Sequence, residues 1–520
     1  MKLPVLWLLA LATDVRSAAS NSSHSGSLTV RTSTGTFTGL VDPAFPNTRQ
    51  WRSIPFAAPP VGSRRWLPPQ KLPPSNEHRY ATKYPPSCPQ FVTAVESLWN
   101  LPLTKGNLIY NGGQSDSSCL EDFPVLFFMT GGGFVIGGID LPWQIPTSWV
   151  ERSQSAIIVT INYRVNIFGF PNARGLADGE QNLSILDQRA ALEWVRDNIA
   201  AFGGDPTRIT HWGRSSGSIS ADIHAYAYHD DPIAQAYSLE SGTVSSGIGE
   251  DPTHSNFSFV AQHVGCGSPC GADGCKDDDD GDDGAAELDC MRRVSFAQIS
   301  KFIGQYGDEG ETPALSFIPV PDDNIVFRNY EARAAAGQLA RRPSLISFTA
   351  NEFSSLVPWP KENLTEGPWQ PSVTALNIAS VCGIRNAVVS RNQLSTSEAP
   401  VYRFQYAGQF PNLNVYDWLG AYHNSETHLV FGTYGLLDHV APTTAFQVEV
   451  SRAMQDHIMA FAEDPYQGPL KRFGWEPQIV SEAGGGSLLR FGAGGKAVQR
   501  IDGVEVDGVC EGLGEYDSFP

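Results

Sequence analysis

The chain has 520 residues with 36 basic and 55 acidic side chains, a formal net charge of −19. Hydrophobic residues make up 41% and charged residues 18%, a globular composition with enough length for one large core or two to three average ones. So acidic a chain argues against nucleic acid as a partner, because phosphate binding rests on basic side chains that release counterions. The acidity is uneven. Between Asp273 and Asp289 lie nine acidic residues and a single lysine.

Met1 to Ser17 read as a secretory leader: Lys2 supplies the positive end, Leu3 to Ala12 the apolar run, and Val15-Arg16-Ser17 before Ala18-Ala19 a small-residue cleavage site. That run is too short to span a bilayer, and no other stretch of eighteen apolar residues follows. A soluble, extracellular protein is expected, with its mature domain running from residue 18 to 520. Eight cysteines suit that compartment: Cys88, Cys119, Cys266, Cys270, Cys275, Cys290, Cys382 and Cys510. An even count in an oxidising environment favours disulfides, and the Cys266–Cys290 cluster lacks the paired knuckles of a zinc site. Asn21, Asn182, Asn256 and Asn363 head Asn-x-Ser/Thr triplets, which makes them candidate glycan sites and expected surface positions.

Along the chain, Phe123–Met129 is a buried-strand run that ends in Gly131-Gly132-Gly133, and Ala156–Asn162 is a second, β-branched run. Leu186–Ala201 has helical spacing and stops at Phe202-Gly203-Gly204-Asp205-Pro206. Arg208–Trp212 is a short strand leading straight into Gly213-Arg214-Ser215-Ser216-Gly217, and Ser344–Thr349 and Pro400–Tyr406 are later strands. Strands alternating with helices predict an α/β fold with a mostly parallel central sheet and helices on both faces. The run Asp277–Asp283 has contiguous carboxylates rather than spaced ligands, so a solvated insertion is expected there and no metal site.

Gly213–Gly217 matches G-x-S-x-G, a weak pattern alone. Its position between a strand and the small-residue run Ser218-Ile219-Ser220-Ala221 is what a nucleophile elbow requires. A serine needs a base and an orienting acid, in the chain order Ser, Asp/Glu, His for this fold class. Downstream histidines are His224, His229, His254, His263, His423, His428, His439 and His457, and periodicity does not choose among them. Gly131-Gly132-Gly133, just after a strand, can bring backbone N–H groups close to a ligand.

These residues carry a resemblance. The chain resembles the type-B carboxylesterase/lipase family, which contains the cholinesterases, and most of all its secreted fungal-type esterases and lipases. The likeness runs from about Leu28 to Cys510. It includes Ile54-Pro55-Phe56-Ala57-Ala58-Pro59-Pro60-Val61-Gly62, Asn162-Tyr163-Arg164-Val165, Leu186-Asp187-Gln188-Arg189, and Glu240-Ser241-Gly242. It implies an α/β-hydrolase fold and a cofactor-free hydrolase of small-molecule or lipid esters. Carried over by position, Ser215 is the nucleophile, Glu352 the acid and His423 the base. Gly132, Gly133 and the N–H of Ser216 form the oxyanion hole. The implied bridges are Cys88–Cys119, Cys266–Cys290 and Cys382–Cys510, which leaves Cys270 and Cys275 inside an acidic insertion at about 266–290. The Cys88–Cys119 loop is where family lipases carry a lid. Here Ala94–Leu101 is brief, so weak interfacial activity at most is expected.

Four departures stand out. Arg214 replaces the usual Glu before the nucleophile; a positive charge there disfavours the imidazolium that His423 must become, or attracts anionic acyl groups. Thr130 stands where His or Tyr usually precedes the glycines, and Ser216 where Ala is usual. After Cys119 the family continues into a strand and a loop; here Leu120-Glu121-Asp122 leads at once to Phe123, so one strand of the pattern is missing. Either the fold tolerates the loss or the gene's coding sequence is misassigned. The rival reading is a catalytically impaired, cholinesterase-like binding or adhesion protein.

Overall fold

The computed structural model describes residues 27–101, 123–177, 179–267, 284–394, 398–480 and 485–520. Its strands in chain order are β1 (Thr29–Thr32), β2 (Gly35–Thr38), β3 (Leu40–Asp42), β4 (Phe45–Gln50), β5 (His78–Tyr80), β6 (Phe123–Met129), β7 (Ile157–Ile161), β8 (Gly204–Arg214), β9 (Ala236–Glu240), β10 (Ser344–Thr349), β11 (Val401–Tyr406), β12 (Ser487–Phe491) and β13 (Val498–Asp502). Eight form one sheet in the order β13-β12-β11-β10-β9-β8-β6-β7, parallel throughout except for the β12–β13 pair.

The alternation of side chains in β6 shows why this sheet is covered on both faces. Val125, Phe127 and Met129 join one core with Leu192 and Val195 of the helix Leu183–Asn198 and Ile219 and Ile223 of the helix Ser216–Ala227. Leu126 and Phe128 join the opposite core with Trp149 and with Met454 and Ile458 of the helix Ala445–Glu463. A strand apolar at every position needs two such partners.

Among the described residues two disulfides tie the periphery: Cys266–Cys290 and Cys382–Cys510, with Cα atoms 5.5 and 5.6 Å apart. Cys88 is unbonded; its expected partner Cys119 lies outside the described residues, as do Cys270, Cys275, Asp277–Asp283, the leader and Asn21. Cys382 lies in the helix Gln370–Asn392, the one described helix long and apolar enough to cross a membrane. That helix buries Val373, Val381, Ile384 and Val388, and its Arg391 pairs with the buried Asp222.

Among the described residues β7 pairs only with β6, and no strand covers its other side. The stretch after Cys119, where the sequence lacks a strand of the family pattern, lies outside the described residues up to Phe123. A groove of about 630 Å³ runs along this edge, lined among others by Trp51, Phe56, Ile157, Val159 and Phe202. Cys88 lines the same groove, and burial pushes its thiol up to about 12. No residue of the Ser215 cluster described below borders it.

One glycan candidate is corrected. Asn182 is fully buried, and its Nδ2 donates to the Val320 carbonyl (2.8 Å) and Asp322 Oδ2 (2.9 Å). A glycan cannot be attached there in the folded chain. Asn363 is exposed and Asn256 half-buried.

Candidate active site

The site starts from close packing at a turn. A Cβ on Gly213 would lie 2.1 Å from the Gly217 carbonyl, and one on Gly217 would lie 2.1 Å from the Met129 carbonyl. Both motif glycines are therefore demanded by contact of β8, β6 and the helix Ser216–Ala227. Between them Ser215 adopts φ +55°, ψ −127°, a left-handed conformation that a residue with a side chain rarely takes. The strain lifts Oγ off the end of β8 and leaves it partly exposed.

Three side chains that are far apart in sequence meet there. Ser215 Oγ lies 3.0 Å from His423 Nε2, and His423 Nδ1 lies 2.5 Å from Glu352 Oε2. Glu352 Oε1 accepts from the Ser241 hydroxyl at 2.5 Å and from the Thr349 N–H at 2.7 Å. Burial alone would raise the Glu352 carboxyl. The His423 ring and these two donors instead hold it below the usual carboxylate range. With the Nδ1 proton directed at Glu352, Nε2 is left to accept from the serine.

On the other side of Ser215, Gly132 takes φ +130°, a conformation only glycine adopts readily. Its carbonyl turns away to accept from Val135 and Ile136. Among the described residues, no acceptor takes the N–H groups of Gly132, Gly133 or Ser216. Gly131 packs so closely that a Cβ on it would stand 2.7 Å from Ser215 Cβ. Thr130 does not face this space: its Oγ1 donates to Gln144 Oε1 (2.9 Å) and its carbonyl accepts from the Tyr163 hydroxyl.

Beneath lies a buried charge cluster. Arg214 Nη1 is 3.4 Å from His423 Nε2, and its Cζ is 5.4 Å from the Trp143 ring centre. Glu240, opposite Arg214 in the β8–β9 register, and Glu426 are buried nearby. Burial pushes them up to about 7 and about 8, against the pull of Arg214. The sequence motif Glu240-Ser241-Gly242 carries no assigned role, and Ser241, next to Glu240 at the end of β9, is the orienting group that the sequence reading misses. Among the described residues, no group of three His, Cys, Asp or Glu side chains is arranged to hold a metal ion.

The expected lid segment is less exposed than it looks in sequence. Leu98 and Leu101 are buried, and Trp99 packs edge-on against Tyr422, beside His423. Ala94, Val95 and Glu96 stay exposed.

Comparison with known proteins places this geometry. Residues 26–370 match the model of the carboxylesterase family. The chain belongs to that family. It is 35% identical to a chlorogenic acid esterase of Aspergillus niger over 95% of this chain and 96% of that protein. It is 33% identical to secreted lipase 5 of Gibberella zeae over 93% and 94%, respectively. It is 31% identical to the acetylcholinesterase of Gallus gallus over 57% of this chain and 39% of that one. This carboxylesterase is thus a carboxylic ester hydrolase, and its eight-stranded sheet is that of the α/β-hydrolase fold.

Proposed function

We propose that the chain is a secreted serine esterase working through Ser215, His423 and Glu352. Ser215 Oγ attacks the ester carbonyl carbon as His423 Nε2 takes its proton. Glu352 holds the Nδ1 proton and balances the imidazolium. The tetrahedral oxyanion lies against the N–H groups of Gly132, Gly133 and Ser216, which are already in place and cost no reorganisation. His423 then protonates the departing alkoxide, and water, deprotonated by the same ring, cleaves the acyl-serine. The chemistry needs no metal or organic cofactor.

The observation that carries this reading is the unbroken Oγ–Nε2–Nδ1–carboxylate line at 3.0 and 2.5 Å. Soluble esters are the proposed substrates rather than dispersed fat, because Leu98 and Leu101 are not available as an apolar landing face. The chlorogenic acid esterase among the relatives fits that choice; the secreted lipases keep the alternative open to test. Relatives named as secreted, the leader at Met1–Ser17 and the two disulfides support export, with the mature chain from residue 18 folding as one unit.

The test is hydrolysis of p-nitrophenyl butyrate by wild type and Ser215→Ala. A loss of at least about 10³-fold is expected, and equal rates would sink the mechanism. Arg214 favours the rival, silent reading, since its guanidinium contends for the same ring nitrogen.

A further inference from the structure

Arg214 places a positive charge where the reaction must move a proton. A neutral His423 with its Nδ1 proton toward Glu352 has a single lone pair on Nε2. Two donors address it: Ser215 Oγ at 3.0 Å and Arg214 Nη1 at 3.4 Å. The guanidinium does not give up its proton, so it can only compete with the serine, never activate it. Once the ring takes the serine proton, Nε2 becomes a donor and faces a like charge. The proton transfer is opposed before and after it happens.

The side chain is also short of acceptors. Nε has no hydrogen-bond partner, and neither Glu240 nor Glu426 hydrogen-bonds to the guanidinium. Burial raises both carboxyls, Glu240 to about 7 and Glu426 to about 8, which weakens them as counter-charges near neutral pH. The buried guanidinium packs beside the nucleophile: a Cβ on Gly131 would meet Arg214 Nη2 at 2.8 Å and Ser215 Cβ at 2.7 Å. An anion beside Ser215 would therefore lie within reach of Arg214.

We propose that Arg214 is a specificity-determining residue that selects esters carrying a carboxylate close to the scissile bond. A planar carboxylate matches the guanidinium fork, draws its N–H groups away from His423 and neutralises the charge that opposes the imidazolium. The substrate thereby supplies the anion that the usual Glu would have provided at this position. A neutral ester leaves Arg214 on the ring nitrogen and reacts slowly. This inference rests on the serine-esterase reading above.

The experiment compares kcat/KM for p-nitrophenyl hydrogen glutarate with its neutral isostere, p-nitrophenyl 5-methylhexanoate, each divided by its rate with hydroxide. A second pair, 3-carboxyphenyl butyrate and 3-isopropylphenyl butyrate, puts the carboxylate on the alcohol side. Wild type is expected to prefer the anion at least about 10-fold in one pair, and that pair locates the carboxylate. Arg214→Gln should raise KM for the anionic ester and raise kcat/KM for the neutral one; a purely structural role would lower both. Equal or faster turnover of the neutral ester by wild type in both pairs overturns the inference without any variant. So does a ratio that Arg214→Gln leaves unchanged. If no ester is cleaved in a Ser215-dependent way, the esterase reading itself fails and takes this inference with it.

Discussion

At the C-terminal end of β8, each reacting side chain is gripped from more than one side; along the outer edge of β7, a row of backbone groups looks onto a groove of about 630 Å³. The two regions share a sheet but not a fate. β8 lies between β6 and β9, and its terminal turn is fixed by Gly213 and Gly217 packing on neighbouring backbone. Among the described residues β7 has one neighbouring strand, and its side chains help to line the groove. The contrast teaches that a catalytic constellation can be held by the centre of a sheet while the edge is left thin. Activity and stability should then respond to different substitutions.

The largest effect belongs to the gripped end. Glu352→Gln keeps shape but presents an amide where Ser241 and Thr349 donate, and it no longer fixes the His423 tautomer. A fall of about 10³- to 10⁴-fold in kcat with an unchanged melting temperature is expected. A loss below tenfold would mean the carboxylate is not orienting the ring.

Next comes packing. Phe127→Ala, fully buried at the centre of the sheet, should cost about 3–5 kcal/mol. Val159→Ala, beside the groove, leaves less behind and should cost under about 1 kcal/mol. Urea unfolding of both variants measures this, and equal costs would show that the β7 edge is as tightly packed as the core.

The smallest effect concerns pH. Glu426 is raised from 4.5 to about 8, so between those values the folded state binds a proton that the unfolded state has lost. Its contribution to stability therefore declines as pH rises from 4.5 to 8. Buried histidines such as His428, lowered to about 4, act oppositely below 6.5, where unfolding lets them charge. Between pH 6.5 and 8 the falling slope comes from Glu426 and, up to about pH 7, also from Glu240. Glu426→Gln should reduce the fall in melting temperature, most clearly between pH 7 and 8, whereas a parallel curve would mean Glu426 is ionised throughout.

Much of this was readable in sequence wherever a strand was apolar on both faces. Phe123–Met129 and Ser344–Thr349 match β6 and β10 end to end. β12 and β13 were missed because Arg490 interrupts a short run and Val498–Asp502 is a polar edge. Arg490 is tolerated because its guanidinium reaches Gln405 Oε1 at 2.7 Å. The threonine-rich strands β1 and β2 do not stand out from loops by pattern. Among eight histidines, only the resemblance pointed to His423, since the choice depends on a loop folding back to β8. Ser241 and the Arg214–Glu240–Glu426 cluster arise from neighbours across strands and loops, which no local pattern records. Leu98 and Leu101 looked exposed because the residues that bury them are distant in sequence.

The central claim is that Ser215 is an activated nucleophile. Folded wild-type protein treated with a fluorophosphonate probe, followed by peptide mass spectrometry, tests it most directly. The account predicts a single adduct on Ser215 that Ser215→Ala abolishes. No adduct, or an adduct on another serine, would contradict it.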